Sequence, residues 1–403
     1  MPQGLRNYLI VTGGYWAFTI TDGAIRMLVL MYFYLQGYSP LQVAMLFLFY
    51  EFFGMVTNLV GGWLGARIGL NLIMHIGMAL QVVALVMLAA PAAWLSVAYV
   101  MLVQALSGIA KDLNKMSAKA SIKSFLPNQA DAQLFKWVSI LTGSKNALKG
   151  VGFFVGAVLL ELLGFQRALL VLAVFLFIVL VLTFLLLPKA LGKSKSKPKF
   201  RQILSTSAAI NYLSAARFFL FGARDVWFVV GLPLFLYSVL GWSFTQVGSF
   251  LALWVIGYGL VQTIAPRLLR YSHHGAGPDG GSAQFWAAIL VISPLLMALA
   301  LWQGLPANIV VIAGLTLFGI LFAINSAVHS YLVVAWSEQD KASMNVGFYY
   351  MANAAGRLTG TVLSGWVYQT DGLIGCLWWS TAFILSATLI SIRLPRSRAE
   401  VMI

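Results

Sequence analysis

Lysine and arginine recur inside segments of this chain that are otherwise apolar enough for hydrocarbon. Lys111 and Lys115 lie in one such segment and Lys145 and Lys149 in another; Arg26, Arg217, Arg224 and Arg357 are placed the same way. A charged side chain at the centre of a bilayer costs about 3 kcal/mol on insertion scales, so it persists only where it faces protein or a watery cavity. Eight such cations stand against four acids, Asp22, Glu51, Asp112 and Asp225. An excess of buried positive charge is chemistry for passing an anion. Lysine supplies point charges and arginine a planar fork that matches phosphate or carboxylate.

The spacing of these residues groups them. Gln104, Ser107, Lys111 and Lys115 recur at helical intervals and share one face, with Asp112 beside them. Lys145, Asn146 and Lys149 follow on the next helix among small neighbours, Gly143, Ser144, Gly150 and Gly152. Small residues let helices approach closely or leave room for a ligand. Two readings of Lys111 and Lys115 stand side by side. Either they bind the ligand, or they belong to a helix end that runs on through Lys119 and Lys123, where they snorkel or form an inner gate. Lys145 and Lys149 lie well inside their helix from Lys136, where snorkelling is hard.

Asp22 and Arg26 are one turn apart, which fits either an internal ion pair or a ligand-binding Arg26 tuned by Asp22. Arg217 and Arg224 share a face at seven-residue spacing, Arg224 as the ligand arginine and Arg217 nearer a helix end as a gate. Arg357 lies near Asn345 and Asn353. Glu51, within Phe49-Tyr50-Glu51-Phe52-Phe53, is either a proton site or the counter-charge of a lysine. His329, one turn after Asn325, is either a packing hydrogen bonder or a proton carrier. Asp22, Glu51, Asp112, Asp225 and His329 are therefore the candidates for coupling or charge balance. His273 and His274 with Asp279 are too small a set for a metal site. With no GxxxxGK[ST] loop and no catalytic triad, neither ATP-driven pumping nor an enzyme is expected, and no cofactor.

These residues need a membrane scaffold to hold them. The 403 residues are 61% hydrophobic and 9% charged, with a mean hydropathy of +0.88. That excludes soluble and disordered classes. The net charge of +15 has no nucleic-acid motif around it. The single cysteine, Cys376, excludes a disulfide framework and a thiolate grip on trivalent arsenic or soft metals. No cleavable signal peptide is expected, since the first apolar stretch is long and carries Asp22 and Arg26.

Stretches long enough to cross hydrocarbon are predicted at 8–35, 41–65, 72–91, 94–118, 135–160 and 166–188. They resume at 207–238, 244–265, 284–303, 307–335, 344–368 and 372–392. The expected domains are a six-helix bundle over 1–188, a basic cytoplasmic linker over 189–205 and a second six-helix bundle over 206–403. Lys189, Lys193, Lys195, Lys197, Lys199 and Arg201 populate the linker. Arg67, Lys119, Lys123, Arg267, Arg270, Lys341, Arg393, Arg396 and Arg398 fall on its side of the membrane, and of the opposite loops only one carries a basic residue, Arg167. Both termini are therefore expected inside.

The halves repeat. Gly37-Tyr38-Ser39-Pro40-Leu41-Gln42-Val43 returns 204 residues later as Gly241-Trp242-Ser243-Phe244-Thr245-Gln246-Val247. Two pseudo-symmetric six-helix bundles, all α-helical, joined by a basic linker resemble the major facilitator fold, with a site expected near the midplane. Gly61-Gly62-Trp63-Leu64-Gly65-Ala66-Arg67-Ile68-Gly69-Leu70 resembles that superfamily's gating loop, with Ala66 where an Asp is usual and Leu70 where a basic residue is usual. The stretch Gln104-Ala105-Leu106-Ser107-Gly108 lacks the Arg of proton-coupled exporters.

Five blocks carry a closer resemblance. They are residues 15–28, from Tyr15-Trp16-Ala17 to Arg26-Met27-Leu28; Phe47-Leu48-Phe49-Tyr50-Glu51-Phe52-Phe53-Gly54; Thr57-Asn58-Leu59; Ala110-Lys111-Asp112-Leu113-Asn114-Lys115-Met116-Ser117-Ala118-Lys119; and Leu141-Thr142-Gly143-Ser144-Lys145-Asn146-Ala147-Leu148-Lys149-Gly150. Together they resemble the ArsJ family of organoarsenical efflux permeases. The resemblance implies export of 1-arseno-3-phosphoglycerate, made by a glyceraldehyde-3-phosphate dehydrogenase using arsenate, and hence arsenate resistance. It implies a bacterial inner membrane, a lipid bilayer and a functional pairing with that dehydrogenase; analogy with major facilitators implies a monomer. Arg26, Lys111, Lys115, Lys145, Asn146, Lys149, Arg224 and Arg357 are the expected substrate contacts. An exporter or exchanger of ordinary organophosphates or carboxylates such as 3-phosphoglycerate stands as the alternative. A transport-inactive sensor or assembly subunit is the reading from another class.

Overall fold

The computed structural model describes residues 3–38, 45–125, 131–188, 207–242, 244–269, 277–338 and 342–396. The basic linker and the pair His273 and His274 lie outside the described residues. Everything described is helix or short turn. The helices are α1 (Gln3–Leu35), α2 (Leu48–Ile68), α3 (Leu70–Leu88) and α4 (Val97–Phe125). A continuous stretch Asp131–Leu186 is broken at Gly164 into α5 (131–163) and α6 (165–186). Then come α7 (Ala208–Phe228), extended by the short turns Gly231–Leu234 and Phe235–Val239, α8 (Phe244–Leu268), α9 (Gly280–Trp302) and α10 (Ala307–Ala335). The stretch Ala342–Ser391 breaks at Gly372 into α11 (342–371) and α12 (373–391).

The internal repeat is visible in the turns. Gly37 and Gly241 both take positive φ, 90° and 69°, at the ends of the first helix of each repeat. Gly164 and Gly372 do so at 74° and 64°, between the fifth and sixth helix of each. Only glycine enters that backbone region without strain. Repeated glycines there set the same two corners twice.

Seven stretches among the described residues are long and apolar enough to cross a membrane: Leu70–Leu88, Val158–Leu186, Ala208–Val239, Gln246–Leu268, Gly280–Trp302, Ala307–Ala335 and Met344–Ser391. The helices outside that set, α1, α2, α4 and the first part of α5, carry Asp22, Arg26, Glu51, Lys111, Asp112, Lys115, Lys145 and Lys149. Arg217, Arg224, Asp225 and Arg357 lie within two of the seven, Ala208–Val239 and Met344–Ser391. By contrast, α6 turns Val174, Leu182 and Leu185 outward, each more than half exposed, as a helix bathed in lipid does.

The chain divides into two compact units. The first is Met1–Gln129, Ser144–Thr206 and Ser337–Met351; the second is Ala130–Gly143, Ser207–Trp336 and Ala352–Ile403. Segments 130–143 and 337–351 thus group across the 1–188 and 206–403 division that the sequence suggests. In the first unit, Ser117 on α4 donates to the Leu70 carbonyl at 2.5 Å, and Asn71 on α3 to the Pro188 carbonyl at 2.6 Å. Those bonds tie the start of α3 to α4 and to the end of α6. In the second unit, Trp227, Phe318 and Phe322 anchor an aromatic core, with Trp227 edge-on to Phe318 at 5.0 Å. Asp279 caps α9 by accepting from the Ser282 amide at 2.8 Å.

Candidate functional site

In the first unit, α1, α2, α4 and α5 bring alternating charges together. Asp22 accepts from the Tyr50 hydroxyl at 2.5 Å and lies 3.4 Å from Lys149 Nζ. Glu51 sits 3.7 Å from both Arg26 and Lys111. Asp112 takes Lys111 at 3.4 Å and Lys115, the nearer of the two. The three acids are buried, as are Lys111 and Lys115. Lys145 and Asn146 are half-buried one turn before Lys149.

Tyr50 is the hub of this cluster. Its hydroxyl holds Asp22, Lys111 Nζ stands 3.8 Å over its ring and the Arg26 guanidinium 5.7 Å from it. A cation over an aromatic face is attracted by the ring quadrupole, more strongly once desolvated. Lys115 lies 4.5 Å over the Tyr350 ring, and Lys119 5.3 Å. The register of the helices makes this possible. A methyl group on Gly108 of α4 would meet the Tyr50 backbone at 2.8 Å from its Cα, so only glycine lets α2 and α4 approach this closely.

In the second unit, two arginines converge on one carboxylate. Asp225 is reached by Arg224 Nη2 at 2.5 Å and by Arg357 Nε at 3.0 Å. Phe221 lies between the two arginines of α7, with Arg217 at 3.9 Å and Arg224 at 4.8 Å from its ring. Arg217 is buried and donates to Asn353 Oδ1 at 2.9 Å and to Ser326 Oγ at 3.1 Å. Gln262 joins at Ser326, 3.1 Å away. His329 is buried, and its Nδ1 has no hydrogen-bond partner among the described residues.

Several sequence expectations change on this geometry. The proposed Asp22–Arg26 pair is not the one formed: Asp22 is held by Tyr50 and Lys149, and Arg26 turns to Glu51. Glu51 neutralises a lysine and an arginine together. Lys111 and Lys115 do not snorkel; they are buried on acids and aromatic rings. Arg217 is a buried, hydrogen-bonded member of a polar network and not a helix-end residue. The hydrogen-bonding role weighed for His329 is not seen at Nδ1. Tyr50, Tyr350, Ser326 and Gln262 were missed. Tyr50 had a signal, since it stands beside the only acid in an aromatic run.

Across the named groups, the first unit sets Arg26, Lys111, Lys115, Lys119, Lys145 and Lys149 against Asp22, Glu51 and Asp112. The second sets Arg217, Arg224 and Arg357 against Asp225. Each cluster holds more cation than acid, and each acid is engaged by two or more basic or phenolic groups. Such clusters can trade an internal carboxylate for an external oxyanion without leaving a cation bare.

Whole-chain comparisons agree with this architecture. The human organic anion transporter MFSD10 (TETRAN) matches with a TM-score of 0.76 at 16% identity, covering 97% of this chain and 100% of that one. The proton:xylose symporter XylE bound to 6-bromo-6-deoxy-D-glucose matches with a TM-score of 0.77 at 13% identity, covering 97% and 96%. A bacterial homologue of the iron transporter ferroportin in its outward-facing state matches at 0.72 and 15% identity, covering 96% and 99%. At these identities the likeness is one of fold. A search of the curated proteins finds no match. The family model of the Major Facilitator Superfamily matches residues 11–278. A multi-pass membrane transporter with charge clusters inside its helices is what sequence and fold describe together, and the chain belongs to the major facilitator superfamily.

Proposed function

We propose that this transporter exports a small phosphorylated organic anion, 1-arseno-3-phosphoglycerate, from the bacterial cytoplasm. Both termini face the cytoplasm, the carrier acts as a monomer, and a glyceraldehyde-3-phosphate dehydrogenase supplies the cargo. The observation that carries the reading is the cation excess in the charge clusters on membrane helices, six against three and three against one among the groups named above. The blocks around Asp22, Glu51, Lys111 and Lys145, which resemble organoarsenical permeases, support the choice of cargo. A single cysteine suits pentavalent arsenic, which is held through oxygen.

The mechanism follows from the ion pairs. An incoming oxyanion displaces Asp22 from Lys149, or Asp225 from Arg224 and Arg357, and takes over the cation. The unit 1 cluster offers flexible ammonium groups, and the unit 2 cluster a pair of forks suited to two-point contact. Export needs no proton. Each negative charge leaving an inside-negative cell gains about 2.3 kcal/mol per 100 mV, and uniport is the coupling we assign.

The test is arsenate resistance and cell arsenic in arsenate-sensitive bacteria expressing the chain with and without the dehydrogenase. Resistance and lowered arsenic only with both present are expected. No effect from the pair, with the protein in the membrane, sinks the arsenylated cargo and leaves an ordinary organophosphate such as 3-phosphoglycerate.

A further inference from the structure

Tyr15 is a buried tyrosine, 2% exposed, two helical turns before Asp22 on α1. Its hydroxyl has no hydrogen-bond partner among the described residues. Seven residues before Asp22 on the same helix, Tyr15 shares the face of α1 that carries Asp22 into the charge cluster of the first unit. The neighbouring residues fix this orientation. Trp16 Nε1 donates to Ser144 Oγ of α5 at 2.8 Å, and Thr19 closes back on the Tyr15 carbonyl at 2.7 Å. Trp16 and Thr19 are thus occupied within the protein, while the Tyr15 phenol and, one turn before it, the Thr12 hydroxyl are not.

A buried tyrosine ordinarily finds a partner for its hydroxyl, because leaving it unmet costs the full desolvation of the group. Phenylalanine would fill the same space without that cost. The acids nearby are already taken: Asp22 by Tyr50 and Lys149, Asp112 by Lys111 and Lys115. What remains is a hydroxyl beside an oxyanion-binding cluster, able both to donate and to accept.

We propose that Tyr15 is a specificity-determining residue that hydrogen-bonds a neutral hydroxyl oxygen on the substrate's carbon chain. It thereby selects a hydroxylated organic anion over an otherwise identical one without the hydroxyl. This inference rests on the organic-anion reading above and adds a second recognition element to it. Lysines and arginines grip the charged ends of the ligand, and Tyr15 reads what lies between them. A site built to bond a substrate hydroxyl discriminates strongly against the analogue lacking it, because the protein group is then left unpaired.

The experiment uses the full chain in proteoliposomes and two probes, 3-phosphoglycerate and the same molecule without its 2-hydroxyl, with wild type and Tyr15→Phe. Wild type is expected to favour the hydroxylated ester. Tyr15→Phe is expected to cut its transport about tenfold at subsaturating concentration while leaving the deoxy analogue unchanged. The melting temperature of purified Tyr15→Phe should match or exceed that of wild type. Equal losses on both probes, no loss on either, or a variant that no longer folds would each overturn the role of Tyr15. A wild-type carrier that moves neither ester overturns 3-phosphoglycerate as cargo and the role of Tyr15 with it; the arsenylated cargo stands or falls on the resistance test, so the two failures are told apart.

Discussion

Lys149 and Arg357 stand 208 residues apart in the chain and play the same part in their own units. Lys149 Nζ lies 3.4 Å from Asp22, and Arg357 Nε 3.0 Å from Asp225. Three residues on, Gly152 and Gly360 supply the close contact that makes each pair possible. A methyl on Gly152 would come within 2.5 Å of the Ile20 carbonyl, and one on Gly360 within 2.7 Å of the Gly222 carbonyl. The repeat therefore carries a structural module, a cation and a glycine on the fifth helix set against an aspartate on the first. Its chemistry has diverged from ammonium to guanidinium.

Removing one partner of a buried pair strands the other charge, at a cost of about 3–5 kcal/mol. Lys149→Met is expected to lower the melting temperature and abolish export. Adding Asp22→Asn should restore most of the stability and none of the transport. Thermal unfolding of the purified variants, read beside flux, checks both halves. Recovered flux in the double variant would show that the pair serves packing alone.

Arg357→Lys keeps the charge near Asp225 but loses the fork. Apparent KM for the exported anion should rise about tenfold, with the protein still folded, since a lysine cannot make the two-point contact. Concentration-dependent flux in vesicles measures this. An unchanged KM would place Arg357 outside the ligand contacts.

Gly152→Leu should collapse the yield of folded protein, because α1 and α5 cannot separate without breaking the Lys149–Asp22 pair. Gly257→Leu is the control: a Cβ added there meets nothing within 4 Å. Fluorescence-detected size exclusion in detergent reads the two directly. Equal behaviour would mean that the α1–α5 contact yields more readily than its geometry implies.

Uniport makes the flux follow the membrane potential and ignore a pH gradient. In vesicles clamped with a potassium ionophore, reversing the potential should reverse net anion movement, and His329→Gln should leave that response intact. Should a pH gradient alone drive accumulation, the carrier is proton-coupled, and loss of that drive in His329→Gln would assign the proton to His329.

The sequence by itself determined the class of this protein. Hydropathy, the basic linker and the repeated Gly37 and Gly241 motifs pointed to two six-helix halves in a membrane, because burial of apolar surface and the distribution of Lys and Arg are written along the chain. It also singled out the cations, since a lysine in an apolar stretch is conspicuous at any resolution. It did not reveal the pairings. Asp22 and Arg26 looked like partners at one-turn spacing, yet helix packing gave Asp22 to Lys149 and Arg26 to Glu51. Tyr50 and Tyr15 had no role of their own in the sequence; the tertiary structure set one against two cations and left the hydroxyl of the other unmet. Partner choice is a matter of distance between helices, and only glycine-mediated close approach, at Gly108, Gly152 and Gly360, decided which charges could touch.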